Sequence, residues 1–140
     1  SNGVEYAVRS IDKYNNKDIF IFGGGDSALD WTVELSKIAK SVSLVHRRDA
    51  FRGAQHTEEL MRNLVKDNKV NLLTPYLIDS IVGNKKVESI TLKNFETSEI
   101  ESYEADELIF LFGLNKKLGP ILDWNIELNG KKIQVNTENL

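Results

Sequence analysis

Arg47 and Arg48 directly follow His46, and Arg52 comes shortly after, in the string His46-Arg47-Arg48-Asp49-Ala50-Phe51-Arg52. A guanidinium is a rigid fork of donors that fits phosphate oxygens two at a time, so three of them in one short stretch suit a bound phosphate. Upstream, Gly23, Gly25 and Ala28 follow the pattern G-x-G-x-x-A within Gly23-Gly24-Gly25-Asp26-Ser27-Ala28. In that pattern the first glycine permits a tight turn, the second lets a pyrophosphate approach the backbone, and the small third residue lets helix and strand pack closely. A helix opening near Gly25 would present unpaired N–H groups and a positive dipole end to the same phosphates. The two motifs are separated as a dinucleotide requires. A unit selective for NAD places Asp or Glu about 20 residues past the glycines, on the ribose 2′-hydroxyl. Here that place holds His46, Arg47 and Arg48, with no carboxylate until Asp49, which favours a 2′-phosphate and hence NADP. A flexible glycine turn and a solvated basic turn would share these compositions, so the case rests on the elements around them.

Those elements are legible. Ile19 to Phe22 is apolar on both faces, as a buried parallel strand should be. Ala28, Trp31, Leu35, Ile38 and Ala39 recur at helical steps, and Val42 to Val45 forms a second strand. The glycine turn therefore follows a strand and opens a helix, the context its motif needs. A second helix follows Arg52 to Gln55, with Leu60, Met61, Leu64 and Val65 as its buried face and Glu58, Glu59, Arg62 and Lys66 toward water. Val70 to Leu73 gives a third parallel strand. Beyond it the pattern changes: Leu77 to Val82 and Val87 to Leu92 flank a Gly-Asn-Lys-Lys hairpin loop. Asn94 to Glu101 reads as an exposed turn between strands. Leu108 to Phe112 is another continuous apolar run, ending at Gly113, and belongs beside the first strand. Ile126 and Leu128 face Ile133 and Val135 across Asn129-Gly130, a strong hairpin signal. Val4 to Tyr14 carries a loose helical spacing. The chain reads as one α/β domain over residues 1–140.

Composition bounds the function. The 140 residues are 41 % hydrophobic and carry a net charge of −3, so there is enough apolar material for a core and the arginine cluster is a local basic feature on an acidic chain. General nucleic-acid binding wants a basic stripe instead. There is no cysteine, which removes disulfides, thiolate metal sites and dithiol chemistry from this chain. His46 and His56 have no metal-ligand spacing. No apolar run approaches the roughly 18 residues of a membrane span. No signal peptide is visible, and the expected location is the cytoplasm.

With these motifs in place, the chain resembles the NADPH-binding domain of thioredoxin-reductase-like flavoenzymes, and within them the ferredoxin–NADP reductase branch. The resemblance rests on Gly23 to Ala28, on His46-Arg47-Arg48-Asp49-x-Phe51-Arg52, on Leu118-Gly119-Pro120-Ile121 and on Asp30-Trp31, and runs from about Tyr6 to Asn136. It implies a Rossmann-like three-layer domain: a central parallel sheet, helices, and a small antiparallel β-meander. It implies that Arg47, Arg48 and Arg52 hold the 2′-phosphate and that His46 lies near the adenosine end. Gly23, Gly24 and Gly25, with backbone N–H groups of Asp26 and Ser27, would meet the pyrophosphate. Phe112 and Gly113 would lie beside the cofactor and Asp30 near the nicotinamide; for Asp26 and Asp30 a favourable charge in the first helical turn is the competing reading. Where the dithiol enzymes carry Cys-x-x-Cys, this chain has Tyr6-Ala7-Val8-Arg9, so a dithiol reductase is not expected. Gly53-Ala54-Gln55 follows Arg52 where Ala-His-Glu is common in the branch, which leaves the contacts just beyond the 2′-phosphate open.

The resemblance implies a parent enzyme, expected as a homodimer, that passes electrons between NADPH and FAD and on to ferredoxin or flavodoxin, with no partner nucleic acid or membrane. In such enzymes the cofactors carry the chemistry and the protein orients them; no catalytic acid, base or nucleophile and no metal are expected here. The chain lacks the family's FAD motifs, so it is expected to be a piece that binds NADPH but neither holds FAD nor turns over. Two alternatives stay open: an NADPH flavoenzyme with another acceptor, and a non-catalytic dinucleotide-binding module.

Overall fold

The computed structural model describes residues 3–111, 123–128 and 131–136. In chain order the elements are β1 (Val4–Glu5), a 3-10 turn (Ile11–Tyr14), β2 (Asp18–Phe22), α1 (Asp26–Leu35), β3 (Ser41–Val45), α2 (Gln55–Lys66), β4 (Asn71–Leu73), β5 (Tyr76–Gly83), β6 (Val87–Asn94), β7 (Ile100–Glu104), β8 (Glu107–Phe110), β9 (Asp123–Leu128) and β10 (Lys131–Asn136). They make two sheets, with strand orders β1-β8-β2-β3-β4 and β10-β9-β5-β6-β7.

The first sheet is parallel throughout. Its strands are apolar at consecutive positions because both faces are covered. Phe20, Phe22, Val45, Leu108 and Phe110 face one way and pack with Ile81, Ile90 and Leu92 of the second sheet. Ile19, Ile21, Val42, Leu44 and Ile109 face the other way and pack with Ala28, Leu29 and Leu35 of α1 and Met61 of α2. The result is the expected three-layer α/β arrangement: helices, parallel sheet, second sheet. The apolar run that includes β8 does lie beside β2, pairing Ile21 with Ile109. Because β2 is flanked by β3 on one side and by the late-returning β8 on the other, the strand order reverses at β2. Ligands of open α/β sheets bind beyond the carboxyl ends of the strands at such a point.

Several expectations change in detail. The stretch Val4 to Tyr14 is not one helix: Val4 and Glu5 pair in parallel with Leu108 and Ile109, and only Ile11–Tyr14 turns helically. α1 stops at Leu35, so Ile38 and Ala39 lie in the turn after it, half-buried against the same core. Leu60 is exposed, whereas Met61 is fully buried; α2 covers the sheet with a narrower stripe than its apolar residues allow. The polar stretch around residue 100 supplies strand β7, with the turn before it held by Asn94 Oδ1, which accepts from the N–H groups of Glu96 and Thr97. The expected antiparallel meander is present. β5, β6 and β7 run antiparallel, and the β9–β10 hairpin extends them, with β9 parallel to β5. That hairpin sets Ile126 opposite Ile133, as expected, though its Asn129-Gly130 turn lies outside the described residues.

Candidate functional site

The glycine turn leaves the carboxyl end of β2 in the middle of the parallel sheet. Gly23 has φ of +149°, and a Cβ there would sit 2.3 Å from the carbonyl oxygen of Leu111, at the end of β8. Only glycine fits both the conformation and the approach. Gly24 lies against the imidazole of His46. Gly25, the N-cap of α1, has open space where a Cβ would be, and its side offers no capping hydrogen bond to the helix. The first helical bond runs from Leu29 N–H to Gly25 O, so the N–H groups before it form the unpaired end of α1. This is the cradle that a pyrophosphate fits: backbone donors, a positive dipole end and room for close approach.

The arginine segment leaves the carboxyl end of the neighbouring strand β3. His46 anchors it, its N–H donating to Leu73 O and its carbonyl accepting from Tyr76 N–H. The imidazole is half-buried, 5.3 Å from the Phe51 ring between centroids. Burial lowers its pKa first of all; a hydrogen bond to the Ala50 backbone opposes this, and the charges of Arg47, Arg52 and Arg48 lower it further. The three arginines therefore share one locality around His46. All three are exposed, and among the described residues none forms an ion pair with a carboxylate. The acidic member of the segment, Asp49, is engaged elsewhere, by Arg62 and by the Thr74 hydroxyl, each at 3.5 Å.

Two hydrogen bonds join the segment to the glycine turn. Arg52 N–H donates to Gly24 O at 2.7 Å, and Ala54 N–H donates to Asp26 Oδ1 at 2.6 Å. Between them Gly53 lies so close to α1 that a Cβ would be 2.4 Å from Leu29 Cδ1. The structure thus brings together Gly23, Gly24, Gly25, Asp26, His46 and Arg52, with Arg47, Arg48 and Ser27 on the same rim. Asp30 is exposed one turn further along α1, and among the described residues its carboxylate makes no hydrogen bond or ion pair. Phe112 and Gly113, expected beside a cofactor, lie outside the described residues, as does Leu118 to Ile121.

Sequence reasoning missed two supports. Arg62 reads as a solvent-facing residue paired with Glu58 at helical spacing, and it does bond Glu58 at 2.9 Å. It also holds Asp49 and lies over Phe51, 5.5 Å from the ring centroid, so it props the arginine segment from α2. Gly53 reads as a loop glycine; only its approach to Leu29 marks it.

Fold and glycine turn together have the form of a Rossmann-like α/β unit. The chain matches the pyridine nucleotide-disulphide oxidoreductase family over residues 18–100. It belongs to that family. It is 43 % identical over 134 residues to a ferredoxin–NADP reductase of Pelagibacter ubique, covering 96 % of this chain and 39 % of that one. With a ferredoxin–NADP reductase of Ehrlichia chaffeensis the identity is 42 % over 139 residues, covering 99 % and 41 %. Among solved structures, the thioredoxin reductase of Lactococcus lactis superposes with a TM-score of 0.71 at 30 % identity, over 80 % of this chain and 37 % of that one. The chain therefore spans about two fifths of the length of the curated relatives it matches.

Proposed function

We propose that this chain is the NADPH-binding domain of a flavoprotein ferredoxin–NADP reductase. The observation that carries the reading is the set of three exposed arginines, Arg47, Arg48 and Arg52, which have no carboxylate partner among the described residues, beside the glycine turn at the point where the strand order reverses. The identity to enzymes named ferredoxin–NADP reductase supports the parent activity. In this reading the pyrophosphate rests on the Gly23 to Gly25 turn and the N–H groups of Asp26 and Ser27. The 2′-phosphate is held by the arginines. His46 backs the adenosine side and Asp30 lies toward the nicotinamide; Phe112 and Gly113, expected beside the cofactor, are outside the described residues. FAD would be held by the remainder of the parent and would supply the electron-transfer chemistry between NADPH and ferredoxin or flavodoxin. This chain contributes binding and orientation, not an acid or base.

Calorimetric titration with NADPH and NADH tests the reading. Hydrogen bonds to charged groups are worth roughly 1.5–3 kcal/mol each. Losing those of the 2′-phosphate should weaken NADH by about tenfold to a hundredfold. Equal affinity for the two, or binding of neither, overturns the assignment. The likeness to thioredoxin reductase favours a second reading, an NADPH flavoenzyme with a different acceptor. Reduction of ferredoxin by NADPH, measured on the parent enzyme, separates the two.

A further inference from the structure

Asp26 is out of place in a simple phosphate cradle. It is the first residue of α1, where a carboxylate competes with a phosphate for the same helix end. Its own side chain shows what it does there. Oδ1 accepts the Ala54 N–H at 2.6 Å, across 28 residues of sequence. Ala54 is the N-cap of α2 and stands two residues after Arg52. With the bond from Arg52 N–H to Gly24 O, the carboxylate closes a two-point clamp around Gly53, where an added Cβ would run into Leu29 and Asp26. Leu29 is fully buried, so the inner wall of the clamp is fixed by the core.

We propose that Asp26 is a positioning residue for cofactor selection: through Ala54 N–H it latches the arginine segment to the glycine turn and so sets where Arg52 meets the 2′-phosphate. The glycine turn fixes the pyrophosphate, and the latch fixes the arginine segment relative to it. The distance between the two phosphate sites is thereby held by one carboxylate. A site loosened by about 1 Å can lose its fit to a charged group. The inference rests on the NADPH reading above, and its test separates the two.

Affinities for NADPH and NADH are measured by calorimetry on the wild-type chain, Asp26→Ala and Asp26→Asn, with unfolding curves for each. Asp26→Asn keeps an oxygen acceptor and removes the charge; Asp26→Ala removes both. The expected result is that Asp26→Ala lowers the NADPH-to-NADH preference by about tenfold, mostly by weakening NADPH. Asp26→Asn should keep the preference and bind both nucleotides at least as tightly as the wild type. If Asp26 serves only as a charge at a helix end, the two variants lose stability alike and neither alters the preference, which overturns the latch. A wild type without preference defeats the cofactor reading and the latch with it; a wild-type preference untouched by Asp26→Ala defeats the latch alone.

Ala54→Pro probes the same bond from the donor side and decides the matter if Asp26→Ala does not fold. Ala54 has φ of −60°, which proline adopts, so the substitution removes the N–H at a compatible φ, and the ring's Cδ displaces the Asp26 carboxylate that the N–H held. A lowered preference in folded Ala54→Pro supports the latch. An unchanged one overturns it.

Discussion

The imidazole of His46 fills the space that a side chain at Gly24 would need: a Cβ built there would lie 2.4 Å from Nε2. The ring cannot swing aside freely, because it is half-buried and packed on Phe51. The middle glycine of the turn, which the G-x-G-x-x-A pattern leaves free, is therefore fixed by the arginine segment. Gly24→Ala should cost about 1–3 kcal/mol, as overpacking generally does. Part of that should return in Gly24→Ala/His46→Ala, because the second substitution removes the clashing ring. Urea unfolding of the single and double variants gives the coupling. Additive losses would show that the two positions do not meet.

Among the described residues, Arg47, Arg48 and Arg52 have no carboxylate to surrender when a phosphate arrives. Each is therefore expected to contribute to NADPH affinity without a compensating loss. Arg47→Ala/Arg48→Ala should weaken NADPH by about tenfold or more and leave NADH within about threefold, given roughly 1.5–3 kcal/mol for a charge-assisted hydrogen bond. Because these side chains are exposed, the NADPH advantage should also shrink as salt rises from about 0.01 to 0.15 M, where the Debye length falls from about 30 to 8 Å. Titrations across that range check both.

Arg62 acts on the same segment from behind. Its pairs with Asp49 and Phe51 are exposed and individually weak, of order 0–1 kcal/mol each. Arg62→Ala should leave stability nearly unchanged but release Asp49 among the arginines, where its charge opposes a phosphate. A fall in NADPH affinity of about twofold to fivefold is expected. Arg62→Ala/Asp49→Asn should restore it, since the freed charge is then gone.

Much of this arrangement is legible in the chain because it is local. Ile19 to Phe22, the three glycines and the arginine string lie within one continuous stretch, and each carries its own signal of apolar run, turn residue or charge. What escapes is decided by partners far away in sequence. Val4 and Glu5 form a strand only because Leu108 and Ile109 lie beside them. Ile100–Glu104 is polar enough to read as loop because β7 is an edge strand exposed to water, with one neighbour, β6. Leu60 and Met61 carry equal apolar signals, and only the sheet beneath α2 decides that Met61 is inside. The bond between Ala54 and Asp26 leaves no trace in composition, since any residue but proline offers the same N–H.

At the opposite end of the parallel sheet, Glu107 opens β8 with its carboxylate buried. Among the described residues Oε2 has no hydrogen-bond partner, and Lys13 Nζ stands 3.7 Å away, already bonded to Glu5. Burial raises the Glu107 pKa; Lys13 and Lys17 pull it back, and Glu5 and Asp106 push it up again. The folded chain thus holds this proton more tightly than the unfolded chain does. The cost of ionising Glu107 in place is absent below the ordinary Glu range. It grows as pH rises toward the raised folded value and is fully present above it, so Glu107 makes stability fall with pH in that window. Glu107→Gln removes the titration. Its unfolding free energy should fall less steeply through the window, and at neutral pH it should equal or exceed that of the parent, because Lys13 keeps Glu5. Urea unfolding of both chains at a series of pH values decides this. Parallel pH profiles for the two would show that the buried carboxylate is not ionised at a cost, and a variant weaker at every pH would show that Lys13 depends on it.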